Sequence, residues 1–494
     1  MRPILAIDQG TTGSTALVVA ESGETLARAN VEFPQIFPKP GWVEHDPSAI
    51  WKSVEGAVTK ALAQAKLAPK DLAAIGITNQ RETTVLWERA TGAPIHNAIV
   101  WQCRRTADAC AALDKAGKRA LFKERTGLVL DAYFSGTKIA WILDAVDGAR
   151  ARAERGELAF GTIDTFLVHK LTGGAKHVTD VTNASRTLCM GLRSLDWDDE
   201  LLAALKVPRA VLPSIAGSAE VVGETRGVGF LPDGIPIAGI AGDQQAALFG
   251  QACFDEGDAK CTYGTGAFAL VNLGAEPRAS EHGLVTTVAW KVAGKTTYAL
   301  EGSAFIAGAA VQWLRDGLGI IKSSADVEAL ARQVESSESV AFVPALAGLG
   351  APHWDPDARG ALVGLTRGTT AAHIARATLE GIALSVWDLL EAMQKDSGPI
   401  RRLRVDGGAA KNDLMMQFQA DIAKTTVERP HDVESTGRGA AMLAGVGIGA
   451  VDPRAAAAMS KAERSFTPSM PETARASHLA KWKDAVARTL SRRP

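Results

Sequence analysis

Glycine-rich turns occur three times in the chain, each directly after an apolar stretch typical of a buried strand. The three segments read DQGTTGST (residues 8–15), TYGTGAF (262–268) and VDGGAAKN (405–412). Small residues leave backbone N–H groups open, and N–H groups in a concave turn bind phosphate oxygens. One such loop from each half of the chain, with a third turn against a base, would hold a nucleotide. Together the segments favour a nucleotide site over three unrelated turns.

An acidic residue stands beside the first of these turns. Asp8 ends the apolar stretch ILAI and would face the phosphates of a nucleotide, where a carboxylate is repelled unless a cation lies between the two charges. Mg²⁺ is the cation expected, because it keeps several waters and takes few protein ligands. We therefore predict that Asp8 holds Mg²⁺ through water. The alternative is a polar hairpin in which Asp8 only caps a turn.

Charged side chains that follow two other apolar stretches could bind a small polar substrate. Arg81 and Glu82 come after LAAIGIT, and Asp243 comes after PIAGIAG. Carboxylates accept hydrogen bonds from hydroxyl groups, and arginine donates through a rigid fork. The carboxyl ends of strands are where α/β proteins bind their ligands. These residues therefore indicate a site for a polyol.

The same residues also have purely structural explanations. Trp101 and Phe268 could cover the carbon atoms of a polyol, but aromatic side chains usually fill a core. Arg81 and Glu82 could form a surface ion pair, and Asp243 could be the N-cap of the helix that begins at QQAALFG. Each alternative is reasonable for one residue, whereas the combination favours a substrate site.

Strands and turns predicted from the apolar pattern must position these residues. ILAI and TALVV form a hairpin around the first turn, and strands are also expected at 72–78, at 97–101 and up to Gly242. Helices are expected after Asp46, an N-cap that precedes a proline, over AFIAGAAVQWLRDGLGI, and over about 370–394. The segment near residue 255 repeats the order of the opening segment, with an apolar approach, a Gly-Thr turn and an apolar return. This weak internal repeat predicts two domains, residues 1–251 and 252–494.

Composition narrows the class of protein. The chain has 494 residues, more than one hydrophobic core usually holds, and 54 basic against 55 acidic side chains, which argues against nucleic acid as a partner. Five scattered cysteines predict a reduced protein without a disulfide framework. We find no signal peptide and no apolar stretch of membrane-spanning length. These features predict a cytoplasmic protein, and we expect a homo-oligomer, a dimer or a tetramer.

Long segments resemble the glycerol kinases, a family of carbohydrate kinases that shares the ATPase fold of actin and Hsp70. The resembling segments cover nearly the whole chain and include IDQGTT, FPKPGWVEHDP, ITNQRETTVLW, IVWQCRRT, VTDVTNASRT, GIAGDQQAALFGQ, YGTGAF and DGGAAKNDLMMQFQAD. The resemblance implies an α/β fold of two ribonuclease-H-like domains with a cleft between them. It also implies the phosphorylation of glycerol to sn-glycerol 3-phosphate, with ATP and Mg²⁺ as cofactors.

The resemblance further implies roles for individual residues. Asp243 would be the general base for the terminal hydroxyl group. The glycerol pocket would comprise Arg81, Glu82, Trp101, Tyr133, Asp243, Gln244 and Phe268. The nucleotide would contact Thr11, Thr12 and Gly13 in the first loop, Thr265 and Gly266 in the second, and Gly308, Gln312, Gly408 and Asn412 elsewhere. Two alternatives stay open: a related kinase for another small polyol or ketose, and an ATPase scaffold of the actin and Hsp70 type.

The chain departs from the family pattern in two places. The family's first loop usually runs Gly-Thr-Thr-Ser-Ser-Arg, but residues 10–15 read GTTGST, so Thr15 replaces the arginine expected to meet phosphate. Some members carry a Gly-Lys-Gly-Gly-Thr-Arg loop that binds fructose 1,6-bisphosphate, but residues 228–234 read VGFLPDG. We expect another cation to replace the missing arginine, and we expect this bisphosphate not to inhibit.

Overall fold

Two large β-sheets, one built from each half of the chain, organise the computed structural model, which describes residues 2–432, 434–460 and 462–491. The strands are β1 Ile4–Gln9, β2 Gly13–Val19, β3 Thr25–Glu32, β4 Glu44–His45, β5 Ala74–Asn79, β6 Val85–Glu88, β7 Ala98–Ile99, β8 Leu158–Gly161, β9 Val178–Asp180, β10 Met190–Gly191, β11 Asp196–Trp197, β12 Ser214–Ala216, β13 Gly223–Glu224, β14 Pro236–Gly242, β15 Asp258–Tyr263, β16 Ala267–Gly274, β17 Val285–Val292, β18 Lys295–Ala304, β19 Ala341–Val343, β20 Ala361–Val363, β21 Arg402–Asp406, β22 Val427–Pro430 and β23 Ala462–Phe466.

Helices connect and cover these strands. They are α1 Pro47–Ala65, α2 Ala107–Lys115, α3 Arg119–Thr126, α4 Ser135–Ala145, α5 Ala149–Glu154, α6 Ile163–Leu171, α7 Val181–Ala184, α8 Asp199–Leu205, α9 Asp243–Gly250, α10 Gly308–Asp316, α11 Asp326–Ala331, α12 Ala371–Ser397, α13 Asp413–Ala423, α14 Ser435–Gly447 and α15 Glu472–Thr489. Short 3₁₀ helices occupy Pro69–Asp71, Arg209–Val211, Gly408–Lys411 and Ala455–Met459.

The two large sheets share one arrangement of strands. The first has the order β13-β14-β5-β1-β2-β3, and the second has the order β17-β18-β16-β15-β21-β22-β23. In the first, β1, β2 and β3 are antiparallel neighbours, while β5 and β14 continue parallel to β1. In the second, β15, β16 and β18 are antiparallel, while β21 and β22 continue parallel to β15. Three antiparallel strands followed by two parallel ones confirm the predicted pair of ribonuclease-H-like units.

The turns between the first two strands of each sheet are also equivalent. The Gly10 N–H donates to the Gly13 carbonyl at 2.9 Å, and the Gly264 N–H donates to the Gly266 carbonyl at 2.9 Å. The predicted internal repeat is therefore present in the fold. It makes Asp8 and Thr262 equivalent positions, because each lies two residues before the first glycine of its turn.

Alternation along β1 divides its side chains between two cores. Leu5 and Ile7 pack into the cluster that contains residues of α1, whereas Ile4 and Ala6 pack into a cluster that contains residues of α14. Successive side chains of a strand point to opposite faces, so an unbroken apolar run is buried on both sides. Asp8 continues the row of Ile4 and Ala6 and lies on the face covered by α14.

Each half of the chain contributes one helix that packs on the sheet of the other half, and these two helices cross in close contact. α9 begins where β14 ends and packs on the second sheet, whereas α14 comes from the second half and packs on β14, β5 and β1 of the first sheet. At the crossing, a Cβ atom on Gly439 would lie 1.9 Å from the Ala246 carbonyl oxygen, and one on Gly250 would lie 2.1 Å from that of Ser435. Backbone therefore meets backbone at the junction of the two halves.

This crossing predicts that Gly439→Ala destabilises the protein. The new methyl group would strike backbone, and overpacking costs about 1–3 kcal/mol. Gly445→Ala in the same helix is the matched control, because its Cβ would meet only side-chain atoms, Ile4 Cδ1 at 3.3 Å and Val451 Cγ2 at 3.5 Å, and alanine is the better helix former. A urea titration should show a lower unfolding midpoint for the Gly439 variant alone. Equal midpoints for the two variants would contradict the prediction.

One of the following local predictions is confirmed, one is wrong, and one helix is shorter than expected. The Asp46 side chain caps α1 by accepting from the Ser48 N–H at 2.8 Å, with Pro47 as the first helical residue. The strand predicted at 97–101 is wrong, because only Ala98 and Ile99 pair, with β4 rather than with the large sheet. The helix expected around 304–320 is confined to α10.

The structure bears on two predictions made from composition, one about disulfides and one about membrane-spanning segments. All five cysteines are buried and unbridged. Among the residues that the structure describes, none of the helices has both the length and the apolar character needed to cross a bilayer. The domain boundary near residue 252 lies between α9 and β15 and stays a prediction.

Candidate active site

A buried network of charged side chains lies where the two sheets meet. The Arg81 guanidinium contacts both oxygens of Glu301 on β18, with Nη2 at 2.9 Å from Oε1. Arg186 contacts both Glu301 and Glu82. Its Nη2 atom lies 2.9 Å from Glu301 Oε1, and its Nε atom lies 2.6 Å from Glu82 Oε1. Arg81 and Glu82 are only 3% and 1% exposed, so the surface ion-pair explanation is wrong.

The charges of this network are mutually stabilised. Burial by itself would raise the pKa of Glu301, but Arg186 and Arg81 overcome that effect and lower it to about 2. Burial works against the charged form of Arg81 as well, yet Glu301 and Glu82 raise the pKa of its guanidinium well above the usual value. Burial raises the pKa of Glu82 although Arg186 and Arg81 oppose that effect. The ionised Glu301 and its two arginines therefore form a rigid, charged floor beneath the neighbouring side chains.

Asp243 is the accessible carboxylate beside this floor. It is the first residue of α9, and its Oδ1 lies 3.2 Å from Arg81 Nε. Its side chain is 31% exposed, whereas that of Glu82 is 2% exposed. Gly242, and not Asp243, occupies the N-cap position, so the capping explanation is wrong. An accessible carboxylate held by a buried cation can accept a proton from a bound hydroxyl group.

Three partly buried aromatic rings from both halves stand together near Arg81. The ring centroids of Trp101 and Tyr133 are 5.6 Å apart, and those of Trp101 and Phe268 are 6.3 Å apart. Arg81 Nη2 lies 3.5 Å from the Tyr133 hydroxyl oxygen. Trp101 and Phe268 belong to none of the hydrophobic cores of the described chain, so the core explanation does not hold for them. Their arrangement provides an apolar wall next to a charged floor.

The first glycine-rich loop adjoins this aromatic wall. The Trp101 Nε1–H group donates to Thr11 Oγ1 at 3.0 Å. Thr12 is exposed, and Gly13 is buried so closely that a Cβ atom would lie 2.9 Å from the Val31 carbonyl oxygen. The hydroxyl of Thr12 is therefore available to a ligand, and the wall and the first loop belong to one site.

The other predicted nucleotide contacts converge on the second loop. The Thr265 carbonyl accepts from the Ala307 N–H at 2.8 Å, and the Gly264 carbonyl accepts from the Gly308 N–H at 2.9 Å. These bonds place the loop that contains Thr265 and Gly266 against the start of α10, which also carries the exposed Gln312. The turn before Gly408 is adjacent too, because a Cβ atom on Gly407 would lie 2.5 Å from the Tyr263 carbonyl oxygen.

Asn412 has a role that the sequence analysis missed. It is the N-cap of α13, and its Oδ1 accepts from the Met415 N–H at 2.9 Å. A bifunctional carboxamide that uses its oxygen for capping keeps its N–H₂ group as a donor. The N–H₂ group of Asn412 can therefore donate to a ligand.

Asp8 lies in a setting that suits a cation. Burial and then the Asp243 carboxylate raise the pKa of Asp8 to about 8, with Glu434 adding to the effect and Arg28 opposing it. The Asp8 carboxylate accepts no side-chain hydrogen bond from the described residues. A divalent cation would relieve both the burial cost and the repulsion from Asp243, so the residues present fit Mg²⁺.

Thr15 is a structural residue in this fold. It pairs with Asp8 across the sheet, is 8% exposed, and accepts from Asn30 Nδ2 at 2.9 Å through its hydroxyl group. Arg28 lies two residues before Asn30 on β3, on the same face, and its Nε is 3.0 Å from Glu434. Arg28 therefore supplies a positive charge to the face on which the family arginine is missing.

Four buried polar residues of the site were not found from the sequence. They are Arg186, Gln245, Lys260 and Glu301. Glu301 is the one charge in YALEGSA, and Lys260 shares the short strand DAKCTY with Asp258. A charge in a predicted buried strand is the signal that could have revealed them. Arg186 and Gln245 carry no such local signal.

Comparisons with known proteins identify the family of the chain. Residues 3–250 match the model of the FGGY family of carbohydrate kinases, N-terminal domain, and residues 259–448 match its C-terminal domain. The chain is 60% identical over 489 residues to a glycerol kinase from Myxococcus xanthus, covering 98% of this chain and 99% of that one. It is 58% identical to one from Deinococcus radiodurans, covering 98% and 97%.

Comparison with solved structures leads to the same family and the same fold. The crystal structure of Plasmodium falciparum glycerol kinase with ADP matches with a TM-score of 0.92 and 36% identity, over 100% of this chain and 99% of that one. A gluconate kinase from Lactobacillus acidophilus matches with a TM-score of 0.88 over 98% and 97%, but at 24% identity it supports the fold alone.

Proposed function

Because the chain belongs to the FGGY family of carbohydrate kinases, we propose that it transfers the terminal phosphoryl group of ATP to glycerol and forms sn-glycerol 3-phosphate. One observation carries the proposal. The accessible Asp243 carboxylate stands on the buried Arg81–Glu301 network and beside the Trp101–Phe268 wall. A charged floor and an apolar wall suit a molecule with hydroxyl groups along one edge and C–H groups along the other.

The proposed reaction uses these residues to position and deprotonate glycerol. Arg81, Glu82, Tyr133 and Gln244 bind its hydroxyl groups, and the aromatic wall covers its carbon atoms. As the terminal oxygen attacks the γ-phosphorus, its proton passes to the Asp243 carboxylate, and ADP leaves with the pair of electrons from the broken P–O bond. Phosphoryl transfer depends mainly on positioning and on charge stabilisation, which a rigid ionised floor favours.

The nucleotide would lie between the two loops. Thr11, Thr12 and Gly13 of the first loop and Thr265 and Gly266 of the second would donate to its phosphates. Gly308 and Gln312 of α10, with Gly408 and Asn412, would contact the adenosine. The convergence of Gly264, Gly308 and Gly407 supports this assignment. Mg²⁺ held through water by Asp8 would neutralise charge on the phosphates.

We further propose that the protein acts in the cytoplasm, without a membrane span and without nucleic acid as a partner. Five unbridged cysteines and the near-zero net charge support this. A dimer or tetramer stays a prediction that light scattering can test.

An ADP-release assay tests the proposed function. Glycerol, dihydroxyacetone, erythritol and xylulose are compared with a reaction that contains no acceptor. The proposal expects glycerol to give the highest kcat/KM by a wide margin. Preference for xylulose or erythritol would indicate a related sugar kinase, and equal ADP release without an acceptor would indicate an ATPase scaffold.

Thr15→Arg should not improve the enzyme. The new guanidinium would enter a buried row between Asp8 and Asn30, on a face where Arg28 already supplies a cation. We expect kcat/KM for ATP to stay unchanged or to fall. A tenfold or larger rise would show that the site lacks a cation. Arg28→Met should lower the same constant roughly tenfold, whereas Arg193→Met, which removes an exposed arginine, should leave it unchanged.

Fructose 1,6-bisphosphate should not inhibit. The Asp233 side chain already accepts from the Gly227 N–H at 2.7 Å, and Thr225 Oγ1 accepts from the Ile235 N–H at 2.9 Å, so two N–H groups that flank the loop are already used. Asp233 also adds repulsion toward an anion. Initial rates at millimolar bisphosphate should match those without it, with inorganic phosphate as the ionic control. Saturable inhibition that lowers kcat would contradict this prediction.

A further inference from the structure

A buried lysine connects the second sheet to the helix that leaves the first. Lys260 lies on β15 and is 0% exposed. Its ammonium donates to Gln244 Oε1 at the start of α9 and to Thr262 Oγ1 at 2.9 Å. Thr262 is the counterpart of Asp8 in the internal repeat. The ammonium therefore lies at the base of the second loop, next to the proposed acceptor site.

The contact with Lys260 determines how the Gln244 carboxamide is oriented. An ammonium group can only donate hydrogen bonds, so the Gln244 atom that faces it must be the carbonyl oxygen. The amide nitrogen, Nε2, is thereby turned away from Lys260. It donates to no other described residue, and it is absent from the enclosed polar atoms without partners, so it is open to a ligand.

The next glutamine shows the contrast. Gln245 Oε1 accepts from Arg81 Nη1 at 3.2 Å, and its Nε2 contacts Thr287 Oγ1 at 3.3 Å and the Val288 carbonyl at 3.2 Å. Its carboxamide is fully used inside the protein. Of the two adjacent glutamines, only Gln244 has a donor left over for a ligand.

Nearby acids favour the charged form of the lysine. Burial lowers the pKa of Lys260, while the carboxylates of Asp406, Asp243 and Glu301 act in the opposite direction. The net effect lowers the pKa of Lys260 below its ordinary value, and the acids of both halves limit that fall. Removing the lysine would leave Glu301 and Asp243 with their contacts to Arg81.

We propose that Lys260 is a positioning residue that fixes the Gln244 carboxamide with its N–H₂ group toward the phosphoryl acceptor. This inference rests on the proposed function. It requires that the substrate oxygen bound by Gln244 be a hydrogen-bond acceptor. A hydroxyl group meets that requirement and keeps its own proton free for a carboxylate such as Glu82 or Asp243. The lysine thereby contributes to the selection of a polyol without touching it.

Lys260→Met tests the orientation. Without the ammonium the carboxamide can rotate, so the Kd for glycerol, measured by calorimetry without nucleotide, should rise about three- to tenfold. The KM for ATP and the kcat at saturating glycerol should change less than about threefold, since the lysine does not act on the phosphoryl group. Lys481→Met is the control for loss of a hydrogen-bonded, partly buried lysine, because Lys481 donates to Ser337 Oγ and to the Glu338 carbonyl, away from the site.

Gln244→Glu tests the donor directly and covers the case in which the Lys260 variant does not fold. A carboxylate keeps the contact with Lys260 but cannot donate, so the Kd for glycerol should rise at least tenfold while the unfolding midpoint is maintained. Wild-type glycerol affinity in either folded variant would overturn the proposal. A Lys260 variant with reduced kcat and unchanged glycerol affinity would overturn it too. Failure of the wild-type protein to phosphorylate glycerol would instead refute the proposed function.

Discussion

Asp243→Asn should lower kcat by about 10²–10⁴-fold while glycerol still binds. Asparagine keeps the size of the side chain and its place at the start of α9, but it cannot take the proton of the attacking hydroxyl group. The position of the carboxylate, 3.2 Å from Arg81 Nε and 31% exposed, is the basis for the expected loss. Rates come from ADP release at saturating substrates, and glycerol affinity comes from calorimetry.

Asp199→Asn is the matched control for this variant. Asp199 is likewise the first residue of a helix and likewise pairs with an arginine, Arg209, at 2.8 Å, but it lies on the surface. Its loss should leave kcat unchanged. If the Asp243 variant retains more than a tenth of the wild-type kcat, the carboxylate serves only the structure of the helix start.

Glu301→Gln should cause the largest loss of stability among the variants considered. Glu301 is the shared partner of Arg81 and Arg186, and removal of its charge leaves two buried guanidinium groups with fewer counter-charges. Breaking a buried ion pair from one side costs about 3–5 kcal/mol, because the remaining charge is not solvated. A urea titration followed by tryptophan fluorescence should show a clearly lower midpoint.

An exposed ion pair provides the comparison. Glu276 lies 3.8 Å from Arg193, with both side chains at least three-quarters exposed, and such pairs contribute little to stability. Glu276→Gln should leave the unfolding midpoint within error of the wild type. Similar midpoints for the two glutamine variants would mean that the buried network is not needed for the fold. The Glu301 variant should also bind glycerol less tightly, since Arg81 loses its anchor.

Local pattern was enough to predict the elements that carry the site. The apolar runs before Asp8 and before Asp243, and the turn at Gly264, each involve residues close together in the chain, so periodicity and turn chemistry reveal them. The apolar pattern predicted one strand wrongly. Residues 97–101 have the composition of a strand, but only Ala98 and Ile99 pair, and they pair with β4.

The network beneath the site could not be predicted in the same way. Arg81 and Glu301 are separated by 220 positions, and Arg186 and Glu82 by 104. Their pairing depends on how two sheets pack, which no short segment encodes. The same holds for Lys260 and Gln244, whose contact joins a strand of one half to a helix that leaves the other. Asn412 was assigned to the nucleotide site alone. Its hydrogen bond to the Met415 N–H at the start of α13 cannot be recognised from the sequence motif.

The exchange of α9 and α14 has a consequence for how the chain can be divided. A fragment that stops after residue 251 would keep α9 without the sheet on which it packs, and its own sheet would lose the cover over Ile4, Ala6 and Leu17. The complementary fragment would carry α14 with its apolar side exposed. Neither piece is self-contained, so the second half must be synthesised before the first can be completed. Each half therefore needs the other to bury its apolar surface, although each has the strand order of an independent unit.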